Sequence, residues 1–242
     1  DETSNSVFSF DLGGNDNLKL ARNPSGLRIG SATNSNEINL PSSFTSNGPI
    51  EIYADGIDVL NNVTIQSNSE SAHILLKAKD WIDLRSPSSG TSGNKIQTNN
   101  GDVIVWADSD GDGEGSFTLG SYNEINSANG VKSKTGSDGG RITIGGGTNS
   151  DSDGHPAGPV SDVGQRNGTV GSSNAIWFGT NAAVYSGGGE FLMNADSNHG
   201  SATTWLTAGT TIWSGTGGIN IISKNTGNWN GMKMMGEFVS HA

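Results

Sequence analysis

Residues Ile50–Arg85 read IEIYADGIDVLNNVTIQSNSESAHILLKAKDWIDLR, and their spacing decides the fold. Ile50, Ile52 and Ala54 fall at alternate positions, as do Ile57 and Val59, Val63 and Ile65, Ile74 and Leu76, and Ile82 and Leu84. A period of two puts the members of each set on one side of a strand. Asp55-Gly56, Asn61-Asn62 and Asn68-Ser69 stand between the sets. These residue types make turns and do not continue helices. Runs this short do not readily build a sandwich sheet. They suit a coil that bends every few residues and stacks on the next, burying an apolar column that no single coil could bury alone. The expected fold is all-β, a parallel β-solenoid.

The same grammar extends in both directions. Residues 1–49 carry Val7-Phe8-Ser9-Phe10, Leu18-Lys19-Leu20, Leu27-Arg28-Ile29 and Ile38-Asn39-Leu40 between turn-rich spacers, and read as the first coils. LGGNDNL at Leu12–Leu18 looks like one unit of a calcium-binding nonapeptide repeat, but that motif works in tandem, so a turn is expected. Central coils run over 50–145, through Asp102-Val103-Ile104-Val105-Trp106, Ser116-Phe117-Thr118-Leu119 and Arg141-Ile142-Thr143-Ile144. Over 146–173 regular strands are expected to stop, because Pro156 and Pro159 withhold ladder donors. This stretch reads as one long loop excursion that could be shortened without losing the coils. Later coils resume over 174–242, so 1–242 reads as a single solenoid segment.

Composition narrows the classes. Apolar residues make up only 31% of the 242, while glycine is abundant at 37. A compact core would be poor at that level, whereas a coil needs only a thin inward line. Six tryptophans and seven phenylalanines argue against a disordered linker. The net charge of −11 excludes the basic footprint that nucleic acid requires, and it fits cation binding. Cysteine is absent, which removes disulfides, thiolate metal sites and a cysteine nucleophile. No stretch has the apolar length of a membrane span.

Three phrases carry a resemblance: IQTNNGDVIVWADSDGDGEGSFTLG at 96–120, SDGGRITIGGGTNSDSDGHPAG at 137–158 and AVYSGGGEFLMNA at 183–195. They resemble the repeat regions of large bacterial filamentous-haemagglutinin-like adhesins. That resemblance implies a right-handed parallel β-helix, secretion to the bacterial cell surface, and an elongated, non-catalytic rod. Its implied partners are surface glycans or other cell-surface components, and neighbouring segments of the same long chain. The family's secretion domain carries Asn-Pro-Asn-Gly before an aliphatic residue. Here Asn23-Pro24-Ser25-Gly26-Leu27 departs at the third position, so that domain is not assigned and an internal segment is expected.

The sharpest chemical feature is Asp108-Ser109-Asp110-Gly111-Asp112-Gly113. Carboxylates at every second position before a glycine let one tight loop aim several oxygens at Ca²⁺. The downstream carboxylate of an EF-hand loop is missing, since Leu119 stands there, although Glu114 is close in sequence. Asn149, Asp151 and Asp153, followed by Gly154, repeat the pattern, so calcium is the expected cofactor of both loops; exposed turns use the same residues without a metal. His73, His155, His199 and His241 have no zinc spacing, and no serine nucleophile motif is present. A polysaccharide-degrading lyase or hydrolase remains the alternative of a different class, with Arg141 or Lys132 as its basic residue, and a ligand-free filament spacer is the other. Trp81, Trp106, Trp177, Trp205 and Trp213 lie on or beside strands, where they either stack sugars or pack coil surfaces.

Overall fold

The computed structural model describes residues 8–10, 23–87, 91–162, 174–197, 202–225 and 230–241. Strand β1 (Phe8–Phe10) precedes β2 (Leu27–Ile29), β3 (Ile38–Leu40) and β4 (Phe44–Ser46). The next coil holds β5 (Ile50–Ala54), β6 (Ile57–Val59) and β7 (Thr64–Glu70), and the one after it β8 (Ile74–Ala78), β9 (Trp81–Leu84) and β10 (Lys95–Asn99). Then follow β11 (Val103–Trp106), β12 (Ser116–Leu119) and β13 (Glu124–Asn126). A longer coil carries β14 (Ile142–Ser150), β15 (Pro156–Gly158), β16 (Val160–Asp162), β17 (Ile176–Phe178) and β18 (Ala183–Tyr185). It is followed by β19 (Phe191–Ser197) and β20 (Ala202–Gly215), and finally by β21 (Ile219–Asn225) and β22 (Asn230–Ser240).

These strands form two sheets of 10 and 12 strands, parallel throughout except at one hairpin. The first sheet runs β1-β2-β5-β8-β11-β14-β19. The other two strands of each coil lie in the second sheet, where the long β20 and β22 span both lines. Pairing residue with residue stacks the inward side chains into columns. Leu27, Ile50, Ile74, Val103, Ile142, Phe191 and Ile219 are successive partners in one column. Ile38, Ile57, Ile82, Phe117 and Ile176 form a second, and Ile65, Ile96, Ile125, Val184 and Ile212 a third. Residues of the central coils in these columns are fully buried, and burying each such side chain contributes about 1.5–3 kcal/mol.

The bends are as ordered as the strands. Asn62, Tyr122 and Asn181 take positive φ where the second sheet bends within a coil, and Ser71, Asn100 and Asn129 do so before the return to the first sheet. Asparagine tolerates this conformation better than most residues. Asn94 and Asn123 are buried and bond across coils: the Val63 amide donates to Asn94 Oδ1 at 2.8 Å, and the Asn94 amide to Asn123 Oδ1 at 2.7 Å. Such side-chain ladders satisfy backbone groups where the strand ladder is interrupted.

The stretch expected to be an irregular excursion is different over 146–162. β14 continues to Ser150 and turns back antiparallel into β15, pairing Gly146 with Gly158 and Ser150 with Pro156. β16 then resumes the interrupted strand: Ile142–Ile144 pair with Phe191–Met193, and Val160–Asp162 pair with Ala195–Ser197 on the same β19. The excursion is thus a hairpin inserted within one rung, and Val160 returns fully buried to the core. Pro156 is accommodated because it lies in the short outer strand of the hairpin and not in a central ladder. Residues 163–173 lie outside the described residues, as does the LGGNDNL stretch.

Candidate functional site

Where β5, β8 and β11 leave the first sheet, successive coils place Asp55, Asp80 and Asp108 above one another. The Asp80 amide donates to Asp55 O at 2.8 Å and the Asp108 amide to Asp80 O at 3.0 Å. Neighbouring strands repeat at about 4.8 Å, so this corner stacks carboxylates on three coils. Asp108 begins the acidic loop. Its side chain is buried, and its Oδ1 accepts from the Gly113 amide at 3.0 Å, while Asp112 Oδ1 accepts from the Glu114 amide at 2.9 Å. Gly113 takes a φ of 88°, which folds the loop back. A Cβ at Gly115 would lie 2.3 Å from Asp108 Cβ, so only glycine permits the return.

Asp108, Asp110 and Asp112 each offer a carboxylate oxygen, and these oxygens lie within 4.8 Å of one another. Burial, with the charges of Asp112 and Asp110 adding to it, pushes the Asp108 carboxyl up to about 7, against the pull of the Gly113 amide. Burial likewise raises Asp80 to about 6, helped by Asp55, Asp112, Asp110 and Glu114. Both shifts say that the corner holds more negative charge than its surroundings stabilise. A hard cation with oxygen ligands would relieve this, and Asp108, Asp110 and Asp112 are the residues that would hold it. Leu119, at the EF-hand's closing position, is fully buried in the core. A shell here would therefore need backbone carbonyls, water or Asp80.

The second loop uses the same residue types otherwise. Asp151 Oδ2 accepts from Arg141 Nη1 at 2.8 Å, while its Oδ1 accepts from the amides of Asp153 and His155 at 3.0 and 2.9 Å. Glu190 approaches Arg141 Nε at 3.4 Å, and Asp153 approaches Nη1 at 3.9 Å. Asn149 is exposed on β14. Among the described residues the acidic cluster forms only at Asp108, Asp110 and Asp112. A cation at Asp151 would have to displace a guanidinium. Asp102 extends this network: its Oδ1 accepts from the Arg141 amide at 2.7 Å, and its Oδ2 lies 3.1 Å from His155 Nε2. His155 Nδ1 lies 2.6 Å from Thr143 Oγ1. Hydroxyl, imidazole and carboxylate are aligned as in a hydrolase triad, yet Thr143 is 0% and His155 1% exposed. The relay fastens the hairpin to the outer face of the first sheet.

The tryptophans are engaged by their neighbours. Trp106 is buried, donates from Nε1 to Gly147 O at 2.8 Å and carries Lys77 3.5 Å above its ring. Burial there pulls Lys77 below its ordinary pKa. Lys233 lies 4.7 Å from the Trp205 ring, and Lys134 4.9 Å from Trp213, which also meets Tyr185 edge-on at 5.2 Å. Trp177 pairs in register with Trp205 on adjacent strands, and Trp81 packs where a Cβ on Gly56 would stand.

Sequence reasoning missed Asp80 as a member of the acidic corner, and it missed the partners of His155. The signal for Asp80 was present: Ala54-Asp55, Ala78-Lys79-Asp80 and Ala107-Asp108 each follow an inward strand residue with an acid at the bend. His155 gave no signal, since its partners lie 12 and 53 residues away. No helix among the described residues is long and apolar enough to cross a membrane. Comparison with protein-family models, with curated proteins and with solved structures finds no match.

Proposed function

We propose that the chain is a rod segment of a bacterial cell-surface adhesin, coiled as a right-handed parallel β-helix and acting by attachment and not by catalysis. The observation that carries this reading is the in-register stacking of apolar columns over all the described coils. Coils stacked this way extend along one axis without a size limit and present repeated outer faces, which suits projection and contact. Its partners are surface glycans or other cell-surface components, met by loops and outer strand faces. The corner at Asp108, Asp110 and Asp112 takes calcium, which neutralises the stacked carboxylates and orders the bend leading into Phe117. Exposure to an extracellular medium, where calcium is millimolar, matches the modest affinity of an incomplete oxygen shell.

The alternative of a polysaccharide-degrading enzyme is favoured by one observation, the convergence of Asp151, Asp153 and Glu190 on Arg141. Those contacts tie the chain's own hairpin down, which supports the attachment reading over a reacting site. The discriminating experiment is binding of the labelled 242-residue chain to a glycan array and to intact cells, with calcium and with EDTA. Saturable retention that weakens in EDTA is expected. Release of shortened, unsaturated or reducing sugar products from a bound polysaccharide would overturn the reading.

A further inference from the structure

Between Ser127 and Gly140 the chain leaves the path of its coil. The Gly140 amide donates to Ser127 O at 3.1 Å and Ser127 Oγ to Gly140 O at 2.6 Å, so the two ends of the intervening segment meet. A compact loop whose ends touch is not needed for the coil to continue. This one climbs the rod. Asn126 launches it: its Oδ1 accepts from the Ala128 and Gly130 amides at 2.9 and 3.1 Å, and its Nδ2 donates to Val131 O at 3.2 Å. On the coil that carries β20, the Thr216 amide donates to Gly136 O at 2.9 Å. A Cβ at Gly187 or Gly188 would stand 2.1 Å from Asp138 O or Ser137 O, so glycine at both lets the returning arm lie against the bend.

The climbing arm covers part of the outer face of the second sheet. Ile125, Val184 and Ile212 form an inward column, so Glu124, Tyr185 and Trp213 point outward by alternation. Glu124, Ala183, Thr211 and Glu237 are successive partners on one outward line, and Tyr185 and Trp213 are partners on the next. The result is a strip with an acid at each end, Ala183 and Thr211 between them, and two aromatics along one side. Lys132 Nζ lies 2.6 Å from Glu124 Oε2 and 5.4 Å from the Tyr185 ring centre. Lys134 pairs with Glu237 and lies 4.9 Å from the Trp213 ring centre. Beneath this arm the outward Glu124 and Tyr185 are each only 8% exposed, whereas on the coil below Lys95 is exposed and Gln97 half-buried.

The strip and its occupant match in charge and spacing, yet each contact between them is slight. Ion pairs and cation–π contacts at a surface are individually weak. What keeps the strip filled is the tether, which gives the arm an effective concentration on the order of millimolar. We propose that the strip lined by Glu124, Tyr185, Trp213 and Glu237 is a binding site for an extended protein segment with lysines at alternate positions, and that Val131–Thr135 is its resident, autoinhibitory occupant. A partner segment takes the site by displacing the arm, its main chain following the rod axis and each lysine set between one carboxylate and one ring. This protein-binding site is additional to the glycan contacts and the calcium corner, and it stands or falls independently of both.

The test removes the occupant and supplies it in trans. In one variant Asn129–Asp138 is replaced by Gly-Gly, joining ends that already meet. In a second, Lys132→Gln with Lys134→Gln keeps the loop at full length. The probe is a fluorescein-labelled peptide of residues 129–136, NGVKSKTG, followed by anisotropy. The shortened chain should bind it saturably and about tenfold or more tighter than the intact 242-residue chain, with affinity falling as salt is raised. The same peptide with glutamine at both lysine positions should not bind, and Glu124→Gln in the shortened chain should weaken binding. Far-UV circular dichroism verifies that the coils persist; should shortening disrupt them, the double variant decides in its place. Absence of saturable binding with the coils intact, equal binding of the glutamine peptide, or equal affinity for the intact chain would each overturn the proposal.

Discussion

The loops at Asp108–Gly113 and Asn149–Gly154 share one pattern of alternate acids before a glycine and meet opposite surroundings. The first sits at a bend where Asp80 and Asp55 already lie beneath it; Lys79 lies 3.9 Å from Asp55, and among the described residues no salt bridge reaches Asp108 itself. The second projects on a hairpin beside Arg141, which neutralises it from within the chain. Spacing of acids thus defines a capacity to gather oxygens. Whether that capacity remains open to a metal depends on the nearest cation, and for the second loop that is set by the hairpin, which folds Asp151 back onto Arg141.

Both loops depend on the stacked apolar columns of the coils, and breaking one of these columns should have the largest effect. Ile57→Asp places an unpaired carboxylate between Ile38 and Ile82, and a loss of about 4 kcal/mol or more is expected. Equilibrium urea unfolding measures it; an unchanged midpoint would mean that Ile57 faces solvent.

Calcium should separate the loops next. At roughly 100 times a dissociation constant on the order of 10⁻⁴–10⁻³ M, calcium should add about 2.7 kcal/mol to stability. Asp110→Asn with Asp112→Asn should abolish that increment in a thermal melt against EDTA, while Asp151→Asn with Asp153→Asn should leave it intact. An increment lost in the second pair and kept in the first would reverse the assignment.

Arg141→Ala tests the other side of the comparison. It strips Asp151 and Glu190 of their cation and should cost about 1–3 kcal/mol. If calcium gave the variant a second binding event by isothermal titration, the arginine would be what closes that loop to metal.

The smallest expected effect is pH dependence. Asp108 and Asp80 titrate in the folded chain near 7 and 6, above the ordinary carboxylate value of about 3.9. A raised carboxyl stabilises the fold when protonated, fully so below the unfolded value, and this contribution is lost as pH rises through 6 to 7. In EDTA the melting temperature should therefore fall between pH 5 and 8, less so in Asp108→Asn, and calcium should flatten the slope. Asp102 and Asp151 behave oppositely: burial would raise them, but the contacts of His155 and Arg141 and the neighbouring amides hold them below the ordinary value. Their contribution is lost only under more acidic conditions.

Much of the architecture was legible in the chain. The alternate residues of Ile50–Arg85 are the ones buried, because a period of two leaves one choice of inner face once polar and apolar residues alternate cleanly. The acidic triplet was legible too, since its members lie within one turn of each other. The hairpin was not. Pro156 and Pro159 read as strand breakers, and only the return of Val160 to β19 revealed a rung interrupted and resumed.

By itself the sequence determined what repeats locally: short strands, bends rich in asparagine and glycine, an inward aliphatic at every second position, and acids poised at one bend. Tertiary structure alone decided which bends lie above one another. That registry gave Asp108 the company of Asp80 and set Asp102 against His155, while the hairpin folding back within its own coil gave Asp151 to Arg141 and His155 to Thr143. The reason is geometric. Stacking joins residues one coil apart, and coil length varies with every inserted loop, so no fixed spacing in the chain marks the partners that meet.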